Sequence, residues 1–317
     1  MILEEFKNRA WLCIKGILPG TAKTASWIVK LTVTFSFAIM LLKYFNILAV
    51  ISDVMSPLFI HLGLPGGAAL AYVTGYFVNC YSAIAVAVSL GLDPRAMTIL
   101  MTMVLCSHNM AVETAVQKMT GSSAIRVVLT RTFSAIVLGL VLNRVMPGAS
   151  MNAATAAEGV GMAAGVISWS TFLPAFTGWL VSALLLAVKV TVVIFALNIL
   201  QALFKEFGVL KSVAKLLSPL MYIFGLPVRC AFLWLIANVV GLAYGAAAMM
   251  EEVNGGTMSR RDIDLTNAHI GISHSNLEDL TIMSAVGGIW WVMLLARWGM
   301  SILLVWGYRL EKKILTF

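Results

Sequence analysis

The sequence is short of charge. Only 11% of its 317 residues are Asp, Glu, Lys or Arg, against about a quarter in soluble domains, and 60% are hydrophobic, more than a water-soluble core could hide. Cysteine is scarce too. Cys13, Cys80, Cys106 and Cys230 have no CxxC spacing and mostly lie in apolar runs, so neither a disulfide framework nor a zinc site is indicated. No Gly-rich loop ends in Lys-Ser or Lys-Thr, and there is no HExxH or nucleophile motif, so the chain is expected to be no enzyme and to hold no cofactor. The start, with Glu4 and Glu5, has no short apolar core before a small-residue cleavage site and does not read as a cleaved signal peptide. The net charge of +8 is not gathered into an aromatic-interleaved stripe, which argues against a nucleic-acid partner.

What is present is long apolar sequence. Residues 64 to 92 carry no charged side chain, and about 20 apolar residues suffice to cross a bilayer. The basic residues flank such runs: Lys7, Arg9, Lys15 and Lys23 before the first, Arg309, Lys312 and Lys313 after the last. Because loop Lys and Arg mark the cytoplasmic side, both termini are expected there, in a bacterial cytoplasmic membrane with lipid as the constant partner. Residues 1–23 read as an amphipathic surface segment whose helix ends at Pro19-Gly20.

The chain repeats itself. Ser56-Pro57-Leu58 and Gly63-Leu64-Pro65 recur as Ser218-Pro219-Leu220 and Gly225-Leu226-Pro227, an offset of 162. Ser107-His108, Glu113 and Arg131 recur as Ser273-His274, Asp279 and Arg297 at an offset of 166, and Val29-Lys30-Leu31-Thr32-Val33 matches Val188-Lys189-Val190-Thr191-Val192. The expected fold is therefore an all-α polytopic membrane protein of two inverted repeats, 24–146 and 177–309, joined by a non-cytoplasmic connector, 147–176, with a cytoplasmic tail, 310–317. Each half reads as a span, an amphipathic stretch, a second span, a broken re-entrant segment and a third span. These fall at 24–43, 46–63, 66–91, 95–119 and 122–145, then at 177–203, 205–224, 228–250, 262–284 and 287–308. Three crossings per half reverse the second copy. The connector has no Lys or Arg between Val145 and Val188, and Lys205, Lys211 and Lys215 follow the first span of the second half, in keeping with that reversal. Arg260-Arg261 are the exception, because this topology places them outside.

Charged groups at bilayer depth cost roughly 2.5–3.5 kcal/mol each on insertion scales, so the charged groups inside the apolar segments, with the polar residues around them, mark the candidate site. They are Ser107, His108, Asn109 and Glu113 in the first half, and Ser273, His274, Ser275, Asn276 and Asp279 in the second. Asn79 and Asn238 interrupt the second spans. Asn109 and Glu113 are four apart and share a helix face, as do Ser275 and Asp279. A break at each Ser-His pair would expose carbonyls and a helix N-terminus, a membrane device for holding an ion or anion. The same groups could instead cap helix ends and pair with Arg131 and Arg297, the expected neutralisers of Glu113 and Asp279.

Gly-Leu-Pro, a span rich in Asn, Tyr, Ser and Ala, and then Ser-His-Asn-Met-Ala-Val-Glu-Thr-Ala before Thr120-Gly121 resemble the nucleoside recognition domain family, also called Gate domain proteins. The second copy, with Gly241-Leu242-Ala243-Tyr244-Gly245 and His274-Ser275-Asn276-Leu277-Glu278-Asp279, is similar but divergent. The resemblance covers nearly the whole chain from about residue 24. Related domains occur in concentrative nucleoside transporters, ferrous iron transporters and the two spore maturation membrane proteins. The resemblance implies that His108, Asn109 and Glu113 fill the family's His-Asn-x-x-x-Glu positions, with Ser275 standing where Asn109 would be.

The leading expectation is a carrier or binding protein for a small polar solute, a nucleoside being one example, coupled to protons or ions through Glu113 and Asp279. Divalent metal transport, with His108, Glu113, His274 and Asp279 as ligands, is the second. A non-transporting protein that works as a homo-oligomer or with a second membrane protein is the third.

Overall fold

In a computed structural model, which describes residues 2–148 and 168–315, the chain is an all-α polytopic membrane protein; no strand occurs among the described residues. Helix α1 (Ile2–Tyr44) is followed by α2 (Ile47–Phe59), α3 (Ala68–Phe77), α4 (Cys80–Leu90), α5 (Pro94–Ser107), α6 (Met110–Met119) and α7 (Ala124–Val145). The second half holds α8 (Trp169–Glu206), α9 (Val209–Leu217), α10 (Leu220–Phe224), α11 (Ala231–Val239), α12 (Leu242–Asn254), α13 (Arg260–Ser273), α14 (Asp279–Ala285) and α15 (Trp290–Leu315). Five stretches are long and apolar enough to cross a membrane: 4–44, 94–119, 124–145, 169–206 and 290–311. Leu129, Phe133, Leu184, Leu185, Val188, Val192 and Leu303 stand exposed on α7, α8 and α15, as lipid-facing side chains must.

α1 does not stop at Pro19-Gly20; it runs through Pro19 for 43 residues, or about 65 Å. A proline removes one backbone donor, and here a neighbouring helix supports the chain along its length. Phe6 stacks on Phe207 and Arg9 pairs with Glu206 at 2.8 Å. Ser36 accepts from Trp179 Nε1 at 3.0 Å, and Tyr44 packs on Phe172. Numbers rise on α1 as they fall on α8, so these first helices of the two halves lie side by side and antiparallel. α8 begins earlier than expected because Ser168 and Thr171 form a capping box. Residues 149–167 of the expected connector lie outside the described residues.

The segments that double back are not the expected ones. Around the break at Val78-Asn79, a Cβ on Gly75 would lie 3.0 Å from that of Ala83, and around Val240-Gly241 one on Gly245 would lie 2.8 Å from that of Ala237. In one continuous helix, residues eight apart are about 12 Å apart. So α3–α4 and α11–α12 are helical hairpins, whereas 94–119 goes on across. The segment 260–285, which is not among the five apolar stretches, runs from Arg260 beside Arg126 toward Ile289, whose N donates to Thr98 Oγ1 near the start of α5. Period and hydropathy do not separate a 23-residue span from two short helices folded on each other, since both are apolar throughout.

This rearrangement also moves Arg260-Arg261. Both line a cleft with Arg126, and Arg126 pairs with Glu311 near the C-terminal end of α15. Arg309 donates to Gly225 O at 2.7 Å, which brings the segment after α8 to the same face, and Arg9 joins it through Glu206. Arg9, Arg126, Lys205, Lys211, Lys215, Arg229, Arg260, Arg261 and Arg309 thus share the face of the two chain ends. The opposite face holds Lys43, Arg95 and Arg144, with Lys43 donating to Ser89 O at 2.6 Å and Arg95 to Asn143.

Candidate functional site

The two crossing segments are interrupted at matching points. α5 ends at Ser107 and α13 at Ser273; His108 and His274 are extended, and Asn109 (φ 48°) and Ser275 (φ 56°) then adopt the left-handed conformation. Asn tolerates that region and Ser does so at a steric cost, so the departure of Ser275 from Asn leaves the backbone turn unchanged. Each break is stitched to a hairpin tip: Asn109 N donates to Gly75 O at 2.9 Å, Ser275 N to Ala237 O at 3.2 Å, and Leu277 N to Asn238 O at 3.1 Å.

Carbonyls freed by such breaks need donors in a membrane interior, and two fully buried arginines supply them. Arg131 donates to Cys106 O (2.9 Å) and His108 O (3.0 Å). Arg297 donates to Ile272 O (2.7 Å) and His274 O (2.6 Å). Their expected role as neutralisers holds for one copy alone. Arg131 Nη2 lies 2.7 Å from Glu113 Oε2, but Arg297 turns to Asn276 Oδ1 at 3.1 Å. Among the described residues Arg297 makes no ion pair with Asp279; the extra asparagine after Ser275 takes its third donor.

The carboxylates instead meet imidazoles of both halves. His108 Nε2 is 3.0 Å from Glu113 Oε1 and 3.4 Å from Asp279 Oδ2, while His274 Nε2 is 3.2 Å from Glu113 Oε2. The rings sit 5.1 Å apart, and His108, His274, Glu113 and Asp279 are all buried. Nδ1 of His108 faces Val104 O (3.1 Å) and Nδ1 of His274 faces Ile270 O (2.8 Å). A carbonyl only accepts, so in both rings Nδ1 carries the hydrogen, an assignment made from its partner. A neutral imidazole then turns a lone pair toward the carboxylates. Lone pair against carboxylate at about 3 Å is repulsive, and a proton or a metal ion between them relieves it. Two triads have the spacing of metal ligands: His108, Glu113 and His274, and Cys80, His108 and Asp279.

The remaining expected residues support this centre. Asn79 caps α4, accepting from Ser82 N at 2.9 Å. Asn238 Oδ1 accepts from Asn276 Nδ2 at 2.6 Å. Ser107 Oγ donates to Met103 O (3.0 Å) and Ser273 Oγ to His269 O (3.0 Å), both as wall groups. Two neighbours of Asn79 join the site without being among the expected site residues: the Cys80 thiol donates to Asp279 Oδ1 at 3.3 Å and the Tyr81 hydroxyl to Glu278 Oε1 at 2.7 Å. The available signal was their adjacency to Asn79 inside an uncharged stretch.

Among known proteins, the chain is similar to the uncharacterized membrane protein YvoD of Bacillus subtilis (strain 168), at 26% identity over 292 residues, which spans 92% of this chain and 92% of that protein. No family model matches the chain, and no solved structure matches it.

Proposed function

We propose that this protein is a secondary carrier of the cytoplasmic membrane that couples the movement of a small polar solute to a proton held among His108, Glu113, His274 and Asp279. The observation that carries the reading is the pair of imidazoles, one from each half, both with Nδ1 committed to a carbonyl and both aiming Nε2 at Glu113. Three carboxylates (Glu113, Glu278, Asp279) stand against two guanidinium groups (Arg131, Arg297), so one added positive charge neutralises the cluster. Uncompensated charge in a buried site is costly, and binding and release of a proton is the smallest change that supplies it. His108 Nε2 reaches carboxylates of both halves, so a proton there is handed from one to the other by a small relative movement.

Two inverted halves meeting at a central site is the arrangement on which alternating access is built. Its support here is the antiparallel pairing of α1 with α8, the matched breaks, and the same arginine contacts repeated at one offset. The gathering of basic residues at the face of both chain ends favours that face as cytoplasmic. The resemblance to nucleoside recognition domain proteins puts nucleosides among the solutes to try.

Proteoliposomes holding a pH-sensitive dye test this reading with a panel of nucleosides, amino acids and organic acids. Wild-type protein is expected to move protons when its solute is added, and Glu113→Gln to lower the rate at least tenfold. Proton movement with none of the panel, from protein recovered as a stoichiometric complex with a second membrane protein, would support an assembly role instead. Divalent metal as cargo is the second reading, favoured by the His108, Glu113 and His274 triad and by Nδ1 contacts of the kind that orient metal-bound histidines. Manganese or zinc would then raise the melting temperature of wild-type protein but not of His108→Ala or His274→Ala.

A further inference from the structure

Two adjoining polar pockets, which share Ser123, Arg126 and Asp264, form a cleft on the face of the two chain ends. Its outer part, about 310 Å³, is lined by Gly121, Ser123, Arg126, Arg260, Arg261 and Asp264. Its inner part, about 10 Å³, the room of one water, is walled by Gln117, Asn267 and Arg131 among others. Arg131 touches Glu113, so the inner part lies one side chain away from the central cluster.

The lining holds four arginines against one carboxylate, although the Asn267 amide is spent on Thr120 Oγ1 and Ser122 Oγ. α7 begins here, and its Ser123 N-cap makes no side-chain capping bond, which leaves first-turn amides and the positive end of the helix dipole facing the cleft. Gln117 is 2% exposed, and its Nε2 has no hydrogen-bond partner. Arg131 Nη1 meets only the Met110 sulfur, at 3.9 Å. Arg260 and Arg261 make no ion pair among the described residues, while Arg126 is shared with Glu311 and lies over the Tyr308 ring. The one carboxylate of the lining, Asp264, accepts from Ser122 Oγ at 2.8 Å.

The lining draws on both halves, and its symmetry-related counterpart at the opposite face is apolar. At the offset of 166, Gln117 becomes Met283, Asn267 becomes Met101, Arg126 becomes Val292 and Arg260 becomes Pro94. Met101 and Met283 are fully buried, so apolar packing closes the equivalent approach from the opposite face.

We propose that the cleft is a binding site for a small oxyanion, a carboxylate- or phosphate-bearing solute, which enters from the face of the two chain ends. An excess of guanidinium groups over carboxylates, with the unpartnered Gln117 amide inside and two arginines free of ion pairs among the described residues at the mouth, selects negative charge. The inference deepens the carrier reading by stating the charge of the cargo, and co-movement of a proton would offset that charge during transport. It is tested by binding alone, so it fails or stands apart from any transport result.

The full chain in neutral detergent is titrated with inorganic phosphate, sulfate and succinate, with chloride at matched ionic strength as the control, and binding is read as melting shift and by calorimetry. At least one oxyanion is expected to bind saturably, with Kd raised at least tenfold in Gln117→Leu and in the exposed double variant Arg260→Glu/Arg261→Glu. The double variant carries the test by itself where Gln117→Leu does not fold. Three results overturn the proposal: no saturable effect beyond chloride, an affinity the folded variants leave unchanged, or stabilisation by phosphatidylglycerol nanodiscs with none from the dissolved anions.

Discussion

At the scale of residues, the two buried arginines separate structural from chemical work. Each spans two carbonyls that the helix break leaves open, and a lysine, with one point of charge and no planar fork, cannot hold both. Arg297→Lys is therefore expected to lower stability by about 3 kcal/mol, the cost of a buried acceptor left unmade together with a misplaced charge, as measured by reversible unfolding in mixed detergent. Arg131→Lys should be at least as damaging, because the Nη2 contact to Glu113 is lost as well. The matching Ser-His pairs and the acids that follow them were legible in the sequence, since charge inside apolar stretches has few explanations. That His108 and Asp279 belong to one site was expected from the repeat, but that one nitrogen, His108 Nε2, faces both Glu113 and Asp279 was not legible, because spacing along one chain does not report atomic contacts between segments more than 160 residues apart.

At the scale of elements, the decisive feature is which segments turn back. α3–α4 and α11–α12 pack through glycine, and a side chain at Gly245 would drive into Ala237 at 2.8 Å. Gly245→Leu is expected to cost about 2 kcal/mol through overpacking and to loosen the Ser275 N to Ala237 O bond, which calorimetry and hydrogen exchange at Ser275 would report. Gly75→Leu meets both Ala83 and Val104 and should act in the same way on the first break. An unchanged melt and unchanged exchange in both variants would contradict the hairpin geometry. Apolar helices of 10 and 11 residues, the lengths of α3 and α4, are too short to cross and too uniform to show a face. Their pairing is settled by small residues meeting at the tip rather than by amphipathic pattern.

For the whole molecule, the contacts place Arg9, Arg126, Arg260 and Glu311 at one face and Asp93, Arg95 and Asn143 at the other. Single cysteines at positions 260 and 311, in a background lacking the native four, are expected to react with a membrane-impermeant maleimide from the same side of the membrane. A cysteine at position 93 should react from the opposite side. Labelling of 260 and 311 from opposite sides would refute the crossing of 260–285. The N-terminal pair Arg9–Glu206, being exposed, should matter little, and Arg9→Ala is expected to change stability by less than about 1 kcal/mol.

Composition and repetition by themselves determined that this is a polytopic helical membrane protein, because low charge and duplicated landmarks require neither packing nor register to be read. They also marked the interrupted helices and most of the polar groups at the centre. Only the tertiary structure decided which segments fold back, why Arg260-Arg261 share a face with the C-terminal end, and that imidazoles of both halves share one carboxylate. Those are relations between distant parts of the chain, set by where glycines allow close approach and by which donors the open carbonyls capture.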